Sequence, residues 1–208
     1  MEVIRIIIDE HQSLAGILHA IRHMIREFGQ GTLQPDFGLL KAMVEYLEAY
    51  PEKRHHPKED RYLFALLRRR TGEGSEAMAR LEQEHAHADA RIAELRRALA
   101  AYAAGDAGGY DGFARAFEAY ADFYRSHMLI EEREILPLIR QHFTAADWQA
   151  AEAGFATLAD PPREGHLPGS QEDFRHLFSR LVSAAPPPVG LGAGPYDAGE
   201  AAPRSRRN

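Results

Sequence analysis

The sequence contains no cysteine, which excludes disulfides, thiolate metal sites, iron–sulfur clusters and any cysteine nucleophile in one step. A metal bound by this chain has only nitrogen and oxygen donors to use. Long apolar runs are missing as well. The longest near the start, Val3 to Ile8, is broken by Arg5 and followed at once by Asp9, Glu10 and His11, so it reads as neither a signal-peptide core nor a membrane span. We therefore expect a cytoplasmic protein with no membrane partner. A basic excess is also lacking: the net charge is −6, whereas nucleic-acid binding calls for clustered positive charge. No nucleic-acid partner is expected. Strand-like alternation and solenoid repeats are missing too, so the expected fold class is all-α.

What is present is enough material for one domain with a core, since 208 residues are 45% hydrophobic. Histidine is abundant: eleven histidines exceed the eight tyrosines and ten phenylalanines.

Four segments carry apolar residues at helical spacing. The first runs from Val3 to Phe28, with Ile7, Leu14, Leu18, Ile21 and Ile25 on one face, and stops at Gly29 and Gly31. The second opens after Pro35 and carries Phe37, Leu40, Val44 and Leu47. Pro51 and Pro57 predict a kink or restart around His55 and His56, with helix resuming by Glu59 and running to about Arg70. Ser75 is the expected N-cap of a third helix that passes through His85 to about Ala104, with Leu81, Ile92, Leu95 and Leu99 as core. A fourth carries Phe113, Phe117, Tyr120, Phe123, Tyr124, His127, Ile130 and Leu136, bent near Pro137.

Beyond His142 the pattern weakens. Thr144 with Asp147 and Ser170 with Asp173 read as capping boxes of two short helices, ending near Leu158 and Val182. The Pro, Gly and Ala content after Pro186 predicts a disordered tail. The expected organisation is a four-helix bundle over 1–145, a short helical extension over 146–185 and a tail over 186–208.

Two segments repeat one spacing. His55 is followed four residues later by Glu59, and His127 four residues later by Glu131, which places each pair on one helical face about one turn apart. Imidazole with carboxylate suits iron and manganese, with zinc also compatible, and a carboxylate can bridge two ions. The other two long helices each offer a histidine, His11 and His85. Burying several His and Glu side chains together is expensive without a cation to offset the desolvation, so their coincidence favours a ligand cage.

At this point the chain resembles the hemerythrin-like, or HHE cation-binding, family. The resemblance rests on His55-His56-Pro57-Lys58-Glu59-Asp60-Arg61-Tyr62-Leu63-Phe64, on His127-Met128-Leu129-Ile130-Glu131-Glu132 with Leu136-Pro137, and on the lone His11 and His85, over about residues 1–145. It implies an up-down-up-down four-helix bundle and a centre of two non-haem iron ions, bridged by carboxylates and by an oxo or hydroxo group. His11, His55, His85 and His127 would be terminal ligands, and Glu59 and Glu131 the bridging carboxylates. Oxygen-carrying members take the last carboxylate five residues after the histidine, which selects Glu132 as an alternate; the helical face favours Glu131. Those members also carry a His-x-x-x-His pair on the third helix, whereas here Asp89 stands four residues after His85. Asp89 is an alternate ligand, as are His19 and His23, which lie about 80° and 120° around the helix from His11.

Other residues are read more plainly. His56 neighbours His55 and so points elsewhere; it, His87, His142, His166 and His176 are expected to be solvated or to orient ligands. Tyr62 and Tyr124 are candidate hydrogen-bond donors to a bridging carboxylate or a bound diatomic, and Glu10, Glu84 and Asp60 candidate partners of the ligand imidazoles. The leading functional expectation is the binding or sensing of a small diatomic or oxidant (dioxygen, nitric oxide or peroxide) at an open iron position, and with Asp89 where a second histidine would stand the chain need not be an oxygen carrier. Beside it stand an enzyme that reduces nitric oxide or peroxide or assists iron-centre repair, and a metal-ordered regulatory or interaction module. The sequence names no protein partner.

Overall fold

The computed structural model describes residues 2–157 and 171–192, and every regular element within them is a helix. Four are long: α1 (Glu2–Gln30), α2 (residues 37–70), α3 (residues 75–103) and α4 (residues 109–142). Two shorter ones follow, α5 (Ala145–Thr157) and α6 (Gln171–Ala184). No helix among the described residues is long and apolar enough to cross a membrane.

The ends of these helices follow from local chemistry. Asp36 caps α2 by accepting the Leu39 N–H at 2.9 Å. At α5 the reciprocal box forms: Thr144 N–H donates to Asp147 Oδ2 at 2.8 Å, and Asp147 N–H donates to Thr144 Oγ1 at 3.3 Å. The start of α3 differs from expectation. Gly74 is the N-cap, at φ +72, and Ser75 is the first helical residue, its hydroxyl donating to Gly72 O instead. Gly74 is needed because a Cβ there would lie 2.6 Å from Leu138 and in a backbone region that side chains resist.

The prolines neither stop nor restart α2. The helix runs on through two widened π-helical stretches, Glu48–His55 and Asp60–Phe64, with Pro51 inside the first. In such turns the N–H reaches five residues back, as from His56 to Pro51 O and from Ala65 to Asp60 O. That register absorbs the loss of a proline N–H without breaking the helix. α4 does the same before Pro137, over Glu131–Ile135. α3 is interrupted once, at His87, between the ligand candidate His85 and the alternate Asp89; the Glu84 carbonyl there accepts from Arg91 Nη1 at 3.0 Å.

Two apolar clusters fill the interior. One gathers Leu14 to Ile25 of α1, Leu39 to Tyr50 of α2, Ile92 to Leu99 of α3 and Phe113 to Tyr124 of α4, with Leu181 of α6. The other gathers Val3, Ile4 and Ile7, then Leu63 to Leu67, Met78 and Leu81, and Ile135 to Ile139, with Ala151 and Phe155 of α5. Each long helix therefore contributes to both clusters, and the stretch left between them carries buried polar residues in α1, α2 and α4 and the half-buried Glu84 and His85 in α3. After α6, residues 186–192 form a turn in which Gly192 N–H donates to Ala185 O at 2.9 Å. The expected end of the first short helix at Leu158, the cap Ser170, His166 and the tail from 193 onward lie outside the described residues.

Candidate metal centre

The polar layer between the clusters contains all six residues expected as ligands. His11, His55, Glu59 and Glu131 form one group able to hold a metal ion, and Glu59, His85, His127 and Glu131 form a second, each with its ligand atoms within 4.8 Å of one another. Helical spacing explains the pairs within a helix: His55 Nε2 lies 3.2 Å from Glu59 Oε1, and His127 Nε2 lies 3.2 Å from Glu131 Oε1. Across helices, His11 Nε2 meets His55 Nε2 at 3.2 Å, and His85 Nε2 meets His127 Nε2 at the same distance.

The two carboxylates are shared between the groups. Glu59 turns Oε1 toward His55 and Oε2 toward His85, at 3.9 Å. Glu131 turns Oε2 toward His11, at 3.1 Å, and Oε1 toward His127. Both side chains are 1% exposed. Glu132 stands outside this core: its carboxylate is 41% exposed and holds the outer nitrogen of His11, Nδ1, at 2.8 Å. Asp89 is exposed on α3 beyond the break at His87 and is in neither group. His19 is exposed, and His23 is turned away, with Nε2 at 3.1 Å from Pro187 O.

Each imidazole of the two groups has a carboxylate on its outer nitrogen. His55 Nδ1 meets Glu10 at 2.6 Å, His85 Nδ1 meets Asp60 at 2.9 Å, and His127 Nδ1 meets Glu84 at 2.9 Å, as His11 meets Glu132. A carboxylate there accepts the Nδ1 proton, raises ring basicity and presents Nε2 as the donor to a metal. Four Nε2 lone pairs and four carboxylate oxygens then converge in a dry interior. Glu59 Oε2 and both oxygens of Glu131 have no hydrogen bond. A divalent cation satisfies this donor set, so the residues present fit a metal.

In the absence of metal, protons are the available counter-charge. Burial opposes the charged form of His55, but Glu59 and Glu10 outweigh it and raise its pKa well above 6.5. His11 is raised against burial by Glu131 and Glu132, and His127 is raised to about 10, again against burial, chiefly by Glu131. Glu131 is held well below 4.5 despite burial, by His127 and His11, while burial and Glu131 push Glu59 up.

Of the two alternatives expected for His56, the structure removes the solvated one: His56 is 2% exposed, and its ring stacks on that of His85 with centroids 4.1 Å apart. It forms a third metal-capable group with His85 and His127. Burial, then His85, His127 and His55, keep it neutral by depressing its pKa. Its Nδ1 lies 3.2 Å from Oε2 of Glu52, a carboxylate absent from the expected site residues. Glu52 is itself buried and accepts from the hydroxyls of Tyr120 and Tyr124. A signal for it does exist in the chain, since Glu52 precedes His56 by four residues, the same spacing in reverse. Tyr124 thus serves Glu52 rather than a shared carboxylate, and Tyr62 lies against Gly154 of α5. Of the remaining histidines, His87 and His176 are exposed and His142 lies 3.7 Å from Glu73, remote from the layer.

No curated protein and no solved structure was found to match this chain. The family model described as "Hemerythrin HHE cation binding domain" matches residues 2–139. That span contains every residue of the layer, and the chain belongs to the hemerythrin HHE cation-binding family.

Proposed function

We infer that this protein holds two non-haem iron ions, one in each of the two groups that share Glu59 and Glu131, and binds or senses a small diatomic or oxidant there. The carrying observation is the division of each carboxylate, whose two oxygens face different histidine pairs. A site for one ion would not need both oxygens of both residues. His11 and His55 would hold one ion, His85 and His127 the other. The order in which each helix visits the two apolar clusters supports an up-down-up-down bundle, the arrangement in which four helices each project a histidine into one layer.

When bound, the iron pair supplies the redox capacity and the open position at which dioxygen, nitric oxide or peroxide is taken up. The chain's own contribution is orientation and exclusion of water. The outer carboxylates fix each ring, and the apolar clusters above and below keep the layer dry. Reduction of nitric oxide or peroxide would use the same layer.

The test is to load the purified chain with iron under reduced conditions and expose it separately to oxygen and to nitric oxide. Two irons per chain and a reversible charge-transfer band support binding; catalytic loss of nitric oxide or peroxide supports an enzyme. Fewer than about one metal per chain, or iron content unchanged in His55→Ala with Glu59→Ala, overturns the reading.

A further inference from the structure

We propose that Tyr124 and Tyr120 form a redox-active pair, with Glu52 as acceptor of their phenolic protons, and that the pair supplies an electron to peroxide taken up at the adjacent metal layer. The proposal rests on the two-ion reading above and adds a one-electron donor to it.

Aromatic rings lead outward from the layer in succession. His56 lies face to face with His85, with centroids 4.1 Å apart and planes at 13°, and Tyr124 is stacked on His56 in turn, at 5.9 Å and 12°. The lone pairs of an imidazole lie in its plane, so what these stacked rings share is their π faces. Tyr124 is also 6.0 Å from the ring of His127, and Tyr120 continues the series 4.8 Å from Tyr124. Four residues apart on α4, the two tyrosines share one helical face. Electron transfer weakens steeply with the gap it crosses, so a run of neighbouring rings couples both tyrosines to the layer.

A buried phenol cannot lose an electron alone. Oxidation makes its O–H strongly acidic, and a ring shut off from water needs a base in hydrogen-bond contact. Tyr120 and Tyr124 are 3% and 1% exposed, and both hydroxyls donate to the same oxygen, Glu52 Oε1, that of Tyr120 at 3.1 Å. Because one oxygen accepts from both, a proton taken from Tyr124 is exchanged for that of Tyr120 without any rearrangement.

Core packing alone does not account for this arrangement. Phenylalanines at 120 and 124 with an apolar residue at 52 would fill the same space, whereas the Glu52 side chain is a carboxylate only 1% exposed. Its Oε2 has no hydrogen bond among the described residues. Burying a carboxylate with one oxygen unsatisfied is costly, and acceptance of phenolic protons gives that cost a purpose.

The step balances as follows in electrons and protons. Peroxide takes up two electrons as its O–O bond breaks to give two hydroxides. One electron comes from the iron pair and one from Tyr124, whose O–H bond breaks as its proton passes to Glu52 Oε1. Tyr120 then gives an electron to the Tyr124 phenoxyl, while Glu52 returns the first proton to Tyr124 and takes that of Tyr120. The oxidised ring ends one step further from the layer.

The experiment looks for the radical. Full-length protein carrying two irons is poised half-oxidised, mixed with one equivalent of hydrogen peroxide, frozen and read by electron paramagnetic resonance. The expected signal is an organic radical whose hyperfine splitting collapses in protein made with ring-deuterated tyrosine. Tyr124→Phe and Glu52→Gln should lose it, and Tyr120→Phe should form it but shorten its life, all three with iron content unchanged. Tyr50→Phe, which removes a hydroxyl bonded to Glu10 beside His55, should keep it. Flash photolysis of the metal-free protein gives a readout without iron: a long-lived phenoxyl absorbance is expected in wild type and should disappear in Glu52→Gln. A two-iron protein with no tyrosine radical, a radical that survives Tyr124→Phe, or a photolysis decay identical in Glu52→Gln overturns this proposal alone. A chain that binds fewer than two irons overturns the two-ion reading and this proposal with it.

Discussion

Glu131 faces His11 with Oε2, at 3.1 Å, and His127 with Oε1, at 3.2 Å, so one fully buried carboxylate joins the first long helix to the fourth across the polar layer. Its neighbour Glu132 reaches the same His11 from outside, at Nδ1. One histidine thus lies between two adjacent carboxylates that serve its two nitrogens.

That relationship predicts unequal effects of two similar substitutions. Glu131→Gln removes a charged donor from both groups and should abolish binding of the metal pair. Glu132→Gln leaves the donors in place and should weaken binding by roughly 10- to 100-fold, the usual effect of losing an orienting partner. Metal content by mass spectrometry with calorimetric titration separates the two, and equal losses would contradict the assignment.

The metal-free protein should lose stability as pH rises above neutrality. His11, His55 and His127 have raised pKa values, so the stability they contribute is complete below about 6.5 and is lost as pH climbs through their folded values, near 10 for His127. Glu52 and Glu59 are raised also and act in the same direction above about 4.5. Glu131, held low, favours the fold as pH rises only below about 4.5, and neutral His56 only below about 6.5. Melting in the presence of chelator should therefore occur at a lower temperature at about pH 9.5 than at about pH 6.5. Metal uptake near neutral pH should release protons, seen as a buffer-dependent enthalpy.

The short helix α5 should loosen without loss of the metal centre when its cap is removed. Thr144→Ala deletes the acceptor for the Asp147 N–H and the hydroxyl that donates to Asp147, and should destabilise by about 1 kcal/mol. Asp147→Ala should be more damaging, because that carboxylate also receives Arg70 Nε and Nη2 at 2.8 and 2.9 Å. Hydrogen exchange confined to α5, with unchanged metal content, is the expected pattern.

Gly74→Ala should destabilise by about 1–3 kcal/mol, since the new Cβ meets both a left-handed backbone and the Leu138 side chain. Gly72→Ala, where a Cβ meets nothing, is the matched control and should stay close to wild type in a thermal melt.

Much of the scaffold is legible in the order of the residues. The apolar residues Ile7, Leu14, Leu18, Ile21 and Ile25 recur at helical spacing and all are buried, as are Leu81, Ile92, Leu95 and Leu99. The Thr144 and Asp147 box is equally readable, because both halves of the contact lie within one turn. The misreadings cluster where helix geometry changes. Pro51 and Pro57 signal a kink or restart, and of these the restart does not occur because widened turns carry α2 through, while Ser75 yields the cap position to Gly74 because only glycine tolerates that backbone so close to Leu138.

The sequence by itself determined the helices and the paired spacings His55 with Glu59 and His127 with Glu131, because residues four apart on a helix are neighbours whatever surrounds them. Tertiary structure alone decided the rest of the layer. Which carboxylate meets each outer nitrogen, how Glu59 and Glu131 divide their oxygens, and that His56 faces inward with Glu52 behind it all depend on how the helices are set against one another. Those contacts join residues distant in the chain, and π turns rotate the side chains away from a regular helix, so no local period encodes them.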